Sequence, residues 1–234
     1  MSGGRRQGLI ALAGIAAILL AFTVDHPIAR AMAGMDPLAL RVARFVTWFG
    51  QGGVVLYPTG ILIILGLAFS LAVPGLAGRL EGPIRTIASI FIIVAAAGLA
   101  DDVLKILFGR ARPYLWLAGD DSGFGFFRYS AKFASFPSGH TTTSFAAAVV
   151  FGMLWPRRKP WFLLAALVIA ASRIVLDVHY LSDVIAGAML GAAVAVLLGK
   201  RFERRGWLAR RTAQDSRGPG VVPVGSKKTG GKRN

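Results

Sequence analysis

Three clusters of polar residues interrupt an otherwise apolar chain of 234 residues, and each holds groups suited to gripping an anion or moving a proton. In "KILFGRARP", Lys105 and Arg112 are seven residues apart and would share a helix face for two turns before Pro113 ends the segment. Two such cations make an anion clamp: arginine grips two phosphate oxygens at once and lysine acts as a point charge. In "FPSGHTTTSFA", Pro137 halts the incoming loop, Ser138 suits a helix cap, and Gly139 lets a ligand approach backbone N–H groups in the first turn. His140 sits in that turn, where the positive end of the helix dipole favours proton donation to a leaving oxygen. In "SRIVLDVHYLSD", Ser172 and Arg173 close one apolar block, and His179 and Asp183 stand four apart at the start of the next. If that stretch is helical, the carboxylate accepts a hydrogen bond from one imidazole nitrogen and leaves the other free and basic, which is how a histidine nucleophile is made.

Each cluster alone also has an ordinary reading. Lys105 and Arg112 would snorkel to headgroups, His140 would be an interfacial histidine, and His179 with Asp183 a solvated pair on a loop. Three coincidences are then needed, because two of the three histidines fall beside Lys105, Arg112 and Arg173, with His26 left as the ordinary one. Arg110 and Lys132 are the better candidates for headgroup contact. Asp101 and Asp102 lie inside an apolar block four and three residues before Lys105, so an intrahelical pair that positions Lys105 is the favoured account, and a polar lining for a headgroup pocket the other. Asp120 and Asp121 read as a solvated turn. Phe124, Phe126, Phe127, Tyr129 and Phe133 either roof the clusters or sit in a membrane interface.

The elements that carry these clusters follow from hydropathy. The chain is 55% hydrophobic and only 16% charged, with a mean hydropathy of +0.60, more apolar than a soluble domain. Six blocks, about 8–24, 53–73, 86–108, 139–155, 161–176 and 181–199, approach the roughly 20 residues that cross a bilayer. The expected fold is an all-α integral membrane bundle of six transmembrane helices over residues 1–200, with an interfacial helix near Leu38–Phe49. The first block follows Arg5 and Arg6 and precedes the small residues Ala29–Ala33, so a cleaved signal peptide competes with a retained helix. Parity puts all three clusters on one face. The other face holds Arg5, Arg6, Arg79, Arg85, the short basic loop "WPRRKPW" and the eleven cations from Lys200 to Arg233, so it is the cytoplasmic one. Residues 201–234 form a basic tail with little apolar periodicity, expected to be disordered and to lie against anionic headgroups; RNA binding is the alternative for the net charge of +16. The absence of cysteine excludes thiol nucleophiles, disulfides and zinc-thiolate sites.

Taken together, Lys105 and Arg112-Pro113, then Pro137-Ser138-Gly139-His140, then Ser172-Arg173, His179 and Asp183 resemble the three-part signature of the type 2 phosphatidic acid phosphatase superfamily. Every signature position is matched. The resemblance implies that His179 attacks phosphorus, that Asp183 orients and charges it, and that His140 protonates the departing lipid oxygen and then helps activate water. It implies that Lys105, Arg112, Arg173, Ser138 and Gly139 hold the phosphoryl oxygens, with no metal or cofactor. A bacterial member would act at the periplasmic face of the inner membrane on undecaprenyl diphosphate, phosphatidylglycerol phosphate, phosphatidic acid or lipid A. Phosphotransfer to a second lipid alcohol, a non-catalytic lipid transporter and, last, a vanadate-dependent haloperoxidase are the competing readings. No nucleic-acid partner is expected.

Overall fold

The computed structural model describes residues 3–119, 123–128 and 130–208. The turn read at Asp120 and Asp121, Tyr129 and most of the basic tail lie outside those residues. Among the described residues eight α-helices follow in order: α1 (Gly3–Met32), α2 (Pro37–Trp48), α3 (Gly52–Ala72), α4 (Ala77–Phe108), α5 (Pro113–Leu117), α6 (Gly139–Leu154), α7 (Lys159–Val175) and α8 (Leu181–Arg204). Five of the six expected spans coincide with α3, α4, α6, α7 and α8, and the short interfacial helix with α2. The first block is longer than predicted: α1 runs on to Met32 and carries Asp25, His26 and Arg30 within the helix.

Sequence dictates the helix ends. Pro37 opens α2 behind Asp36, whose carboxylate accepts the backbone N–H groups of Leu38 and Ala39 at 2.7 and 3.2 Å. Gly109 closes α4 in the left-handed region, φ 52°, with its N–H on the Lys105 carbonyl at 2.8 Å. A side chain there would also strike the Gly125 carbonyl, 2.5 Å from a Cβ.

Stretches 11–32, 37–72, 74–108 and 181–204 are each long and apolar enough to cross a membrane. Helix α3 has no buried residue, so its Ile61, Ile64, Leu65 and Leu71 stand exposed where hydrocarbon would cover them. Helices α6 and α7, of 16 and 17 residues, are shorter and more enclosed. Helix α6 is the central post. Its Ala146, Val150 and Leu154 meet Ile90, Ile93 and Ala97 of α4 and Ala195 and Phe202 of α8. Two glycines four apart on α8 permit its closest contact: a Cβ at Gly187 would sit 2.6 Å from the Ser138 carbonyl, and one at Gly191 would collide with the Thr142 carbonyl. Small residues at this spacing let two membrane helices approach backbone to backbone.

The folded body passes the boundary expected at residue 200. Phe202 and Leu208 are 5% and 4% exposed within the core, and Trp207 stacks on Phe202 with ring centroids 5.4 Å apart. The stacked aromatic pair, which the basic composition of the segment conceals, holds residues 201–208 to the bundle.

Candidate active site

All three clusters meet at one end of the bundle, where α4 and α7 end and α6 and α8 begin. Helix α4 delivers Lys105 in its last turn, where Asp101 accepts its ammonium at 2.5 Å and Asp102 lies 3.9 Å away. This is the intrahelical pairing the spacing predicts. Asp101 is almost wholly buried and also accepts the Thr142 hydroxyl of α6 at 2.9 Å, so the pair is tied across two helices. Gly139 is required here by space: a Cβ would fall 2.6 Å from Lys105 Nζ and 2.9 Å from Asp101 Oδ2.

Arg112 lies in the loop beyond α4, not on its face as the seven-residue spacing suggests, because Gly109 has already ended the helix. Its Nε donates to the Ala131 carbonyl at 2.8 Å and a terminal nitrogen to the Val178 carbonyl at 3.3 Å. Arg173, in the last turn of α7, donates to the Thr47 hydroxyl of α2 at 2.7 Å, and its buried Nε has no partner among the described residues. Ser138 holds the N-cap position of α6 but its side chain caps no backbone N–H; fully buried, its hydroxyl accepts instead from the Thr141 hydroxyl at 3.0 Å. His140 follows in the first turn of α6. Arg173, His179, Lys105 and Arg112 all lie near enough to act on it through space.

His179 is held differently from the sequence expectation. It precedes α8 rather than lying within it, so the four-residue spacing does not stack the two side chains, and Asp183 stands 3.7 Å from Nδ1. The partner of Nδ1 is instead the Ser135 carbonyl at 2.7 Å. A carbonyl only accepts, so Nδ1 carries the proton and Nε2 keeps its lone pair. Asp183 acts one step back: one of its oxygens accepts the Tyr180 N–H at 2.9 Å, closing a capping box, and the Ser135 hydroxyl at 2.6 Å. Burial pulls His179 down to about 4 from 6.5, against the opposing pull of Asp183.

Arg110 is the main correction. Far from reaching headgroups, it is 4% exposed, and it donates to Asp183 at 2.5 Å, to Ser182 at 2.7 Å and to Asp25 of α1 at 2.9 Å. The Tyr180 ring lies under its guanidinium at 4.1 Å and that of Phe22 at 4.8 Å. Phe124 joins Phe22, Phe108 and Phe136 in an aromatic wall beside it, Phe126 stacks on the outer side of Phe124, and Phe127 is exposed. Lys132 is exposed, as headgroup contact requires. His26 stacks flat on Trp116 at 4.2 Å, an ordinary packing role.

Residues 86–207, more than half the sequence, match the PAP2 superfamily. The chain belongs to that superfamily. It is 38% identical over 121 residues to the lipid A 1-phosphatase of Rhizobium johnstonii, covering 52% of this chain and 50% of the relative. It is 36% identical over 147 residues to the lipid A 1-phosphatase of Rhizobium etli, covering 58% and 62%. The chain thus spans between half and two thirds of the length of these curated relatives. A crystal structure of a transmembrane PAP2 type phosphatidylglycerolphosphate phosphatase from Bacillus subtilis shares the fold, with a TM-score of 0.56 at 22% identity over 87% of this chain and 98% of that one. This PAP2 chain is a multi-pass membrane protein, built from apolar helices of the lengths given above.

A cavity of about 470 Å³ opens beside the PAP2 site between α3, α4 and the start of α6. Its mouth is apolar, with Leu56, Val94, Ala95 and Leu99, and its polar end holds Lys105, Gly139 and His140. Because a Cβ at residue 139 would crowd the ammonium at 2.6 Å, Gly139→Ala is expected to displace Lys105 and, if Lys105 holds phosphate, to weaken competition by inorganic phosphate about tenfold or more, the loss of one charged contact. Inhibition constants for phosphate on the two proteins check it, with unchanged melting as the control.

Proposed function

We propose that this protein hydrolyses a phosphate monoester or diphosphate of a membrane lipid through a phosphohistidine on His179. The observation that carries the reading is the 2.7 Å contact of His179 Nδ1 with the Ser135 carbonyl, which makes Nε2 the nucleophilic nitrogen. Nε2 forms a bond to phosphorus as the phosphorus–oxygen ester bond breaks. The electron pair leaves on the lipid oxygen, which takes a proton from His140. Water then attacks phosphorus, its proton passing to His140, and the nitrogen–phosphorus bond breaks to return the lone pair to His179. Lys105, Arg112 and Arg173 stabilise charge on the phosphoryl oxygens, with Ser138 and the Gly139 backbone completing the cradle.

Six helices cross the inner membrane in this reading, with both termini cytoplasmic and the site at the periplasmic face. The lipid tail stays in the outer leaflet and enters along the apolar mouth between α3 and α4. Residues beyond Leu208 lie against anionic headgroups. The substrate classes are undecaprenyl diphosphate, phosphatidylglycerol phosphate, phosphatidic acid and lipid A. The names of the Rhizobium relatives put the 1-phosphate of lipid A first in order of assay.

The test is phosphate release by the purified chain from each of these four lipids in mixed micelles. Turnover of at least one is expected; release from none overturns the reading. Proton occupancy at His179 is separately testable. Folding lowers its affinity for a proton, so the imidazole stays neutral as pH falls through 6.5 and charges only near 4, and the stability drawn from the neutral ring is lost across that window. Histidine-selective nitrogen NMR at pH 6 should find His179 neutral; a half-charged ring there would contradict the burial.

A further inference from the structure

The site is tied to α1 by a buried group of charges that the phosphohistidine chemistry does not by itself require. Asp25, 1% exposed, receives the Ser182 N–H at 3.0 Å, the Ser182 hydroxyl at 2.5 Å and the Arg110 guanidinium at 2.9 Å. Arg110 in turn holds Asp183 at 2.5 Å, and Asp183 reaches His179 through Ser135, whose hydroxyl and carbonyl bind the two residues separately. The group holds two carboxylates and one guanidinium, so it carries one net negative charge beside the imidazole. With Arg110 and Asp183 alone, the charges would cancel.

That excess has a consequence for the reaction. When Nε2 bonds to phosphorus while Nδ1 keeps its proton, the ring becomes cationic, and in a buried site a cation needs a counter-charge. We infer that Asp25 is a positioning residue for this chemistry: by sharing Arg110 with Asp183 it leaves one negative charge to stabilise the phosphorylated ring, and through Ser182 it fixes the start of α8. The inference rests on the phosphohistidine reading. It adds that α1, outside the matched region 86–207, supplies part of the catalytic electrostatics.

The test uses the full chain in detergent with whichever of the four lipids it turns over, carrying labelled phosphate, quenched in alkali to preserve phosphohistidine. For Asp25→Asn, label should enter His179 at least tenfold more slowly than in wild type, with KM within about threefold and hydrolysis of the phosphoenzyme no slower, because removing negative charge destabilises only the phosphorylated ring. A merely structural residue would slow both steps or lower the labelled fraction. Asp25→Asn/Arg110→Gln restores the net charge to minus one, so it should label faster than Asp25→Asn although slower than wild type. Equal labelling rates in wild type and Asp25→Asn, or a double variant no faster than the single one, would overturn the inference. Should Asp25→Asn fail to fold, Asp25→Glu keeps the charge and must label within threefold of wild type. No labelling of the wild type by a lipid that it hydrolyses would sink the phosphohistidine reading instead.

Discussion

Replacing His179 by alanine is expected to lower phosphate release from every lipid substrate by on the order of 10³-fold or more, with the protein still folded. The size follows from what is removed. Uncatalysed hydrolysis of a phosphate monoester is among the slowest of biological reactions, and the cations that remain, Lys105, Arg112 and Arg173, would hold phosphate in the proposed mechanism without supplying a nucleophile. His140, needed as an acid at the departing oxygen, cannot at the same time act as the base for water attacking in place of Nε2. The side chain is 3% exposed and holds the Ser135 carbonyl, so the alanine variant also leaves one acceptor unpaired. His179→Asn offers a donor to that carbonyl and separates the two effects: it should melt like wild type and be as inactive as alanine. Measuring inorganic phosphate beside a detergent melting curve decides the matter, and turnover retained in either variant would remove His179 from the role of nucleophile.

Arg110→Ala should be the most damaging single change to stability among the charged residues described. It strands Asp25 and Asp183 at 1% and 0% exposure with no cation between them, and breaking a buried pair from one side costs about 3–5 kcal/mol. The stacking of the guanidinium on Tyr180 and Phe22 is lost as well. Loss of folded protein after extraction, or a melting midpoint well below that of wild type, is the expected result. Lys132→Ala, which removes an exposed cation from the same loop, should leave the midpoint unmoved. A stable, soluble Arg110→Ala protein would mean that the two carboxylates find protons or partners elsewhere.

The contrast between Arg110 and Lys132 shows where sequence reading succeeds and where it stops. Helix positions were legible because apolar block length is set by bilayer thickness, and glycine or proline marks most of the ends. The pairing of Lys105 with Asp101 was legible because both lie on one continuous helix with fixed geometry. Arg112 and His179 have the right types at the right spacings, but their partners, the carbonyls of Ala131, Val178 and Ser135, belong to the main chain and carry no residue-specific signal. The neighbours of Arg110 in sequence give no sign of its burial. Its actual surroundings come from α1, 85 residues earlier, and from α8, 72 and 73 residues later. One cue was available: Asp25 stands at the end of an apolar block, where a carboxylate is expensive unless it meets a cation. Only placing α1 as far as Met32 brings that cue inside the helix.

The carbonyl of Ser135 has one more chemical consequence. An imidazole can carry phosphorus on either nitrogen, giving two isomers that differ in lability and in the antibodies that recognise them. With Nδ1 committed to a main-chain oxygen, the proposed phosphohistidine could carry phosphorus only on the nitrogen remote from the side-chain stem, so a main-chain contact would set the regiochemistry of the covalent intermediate.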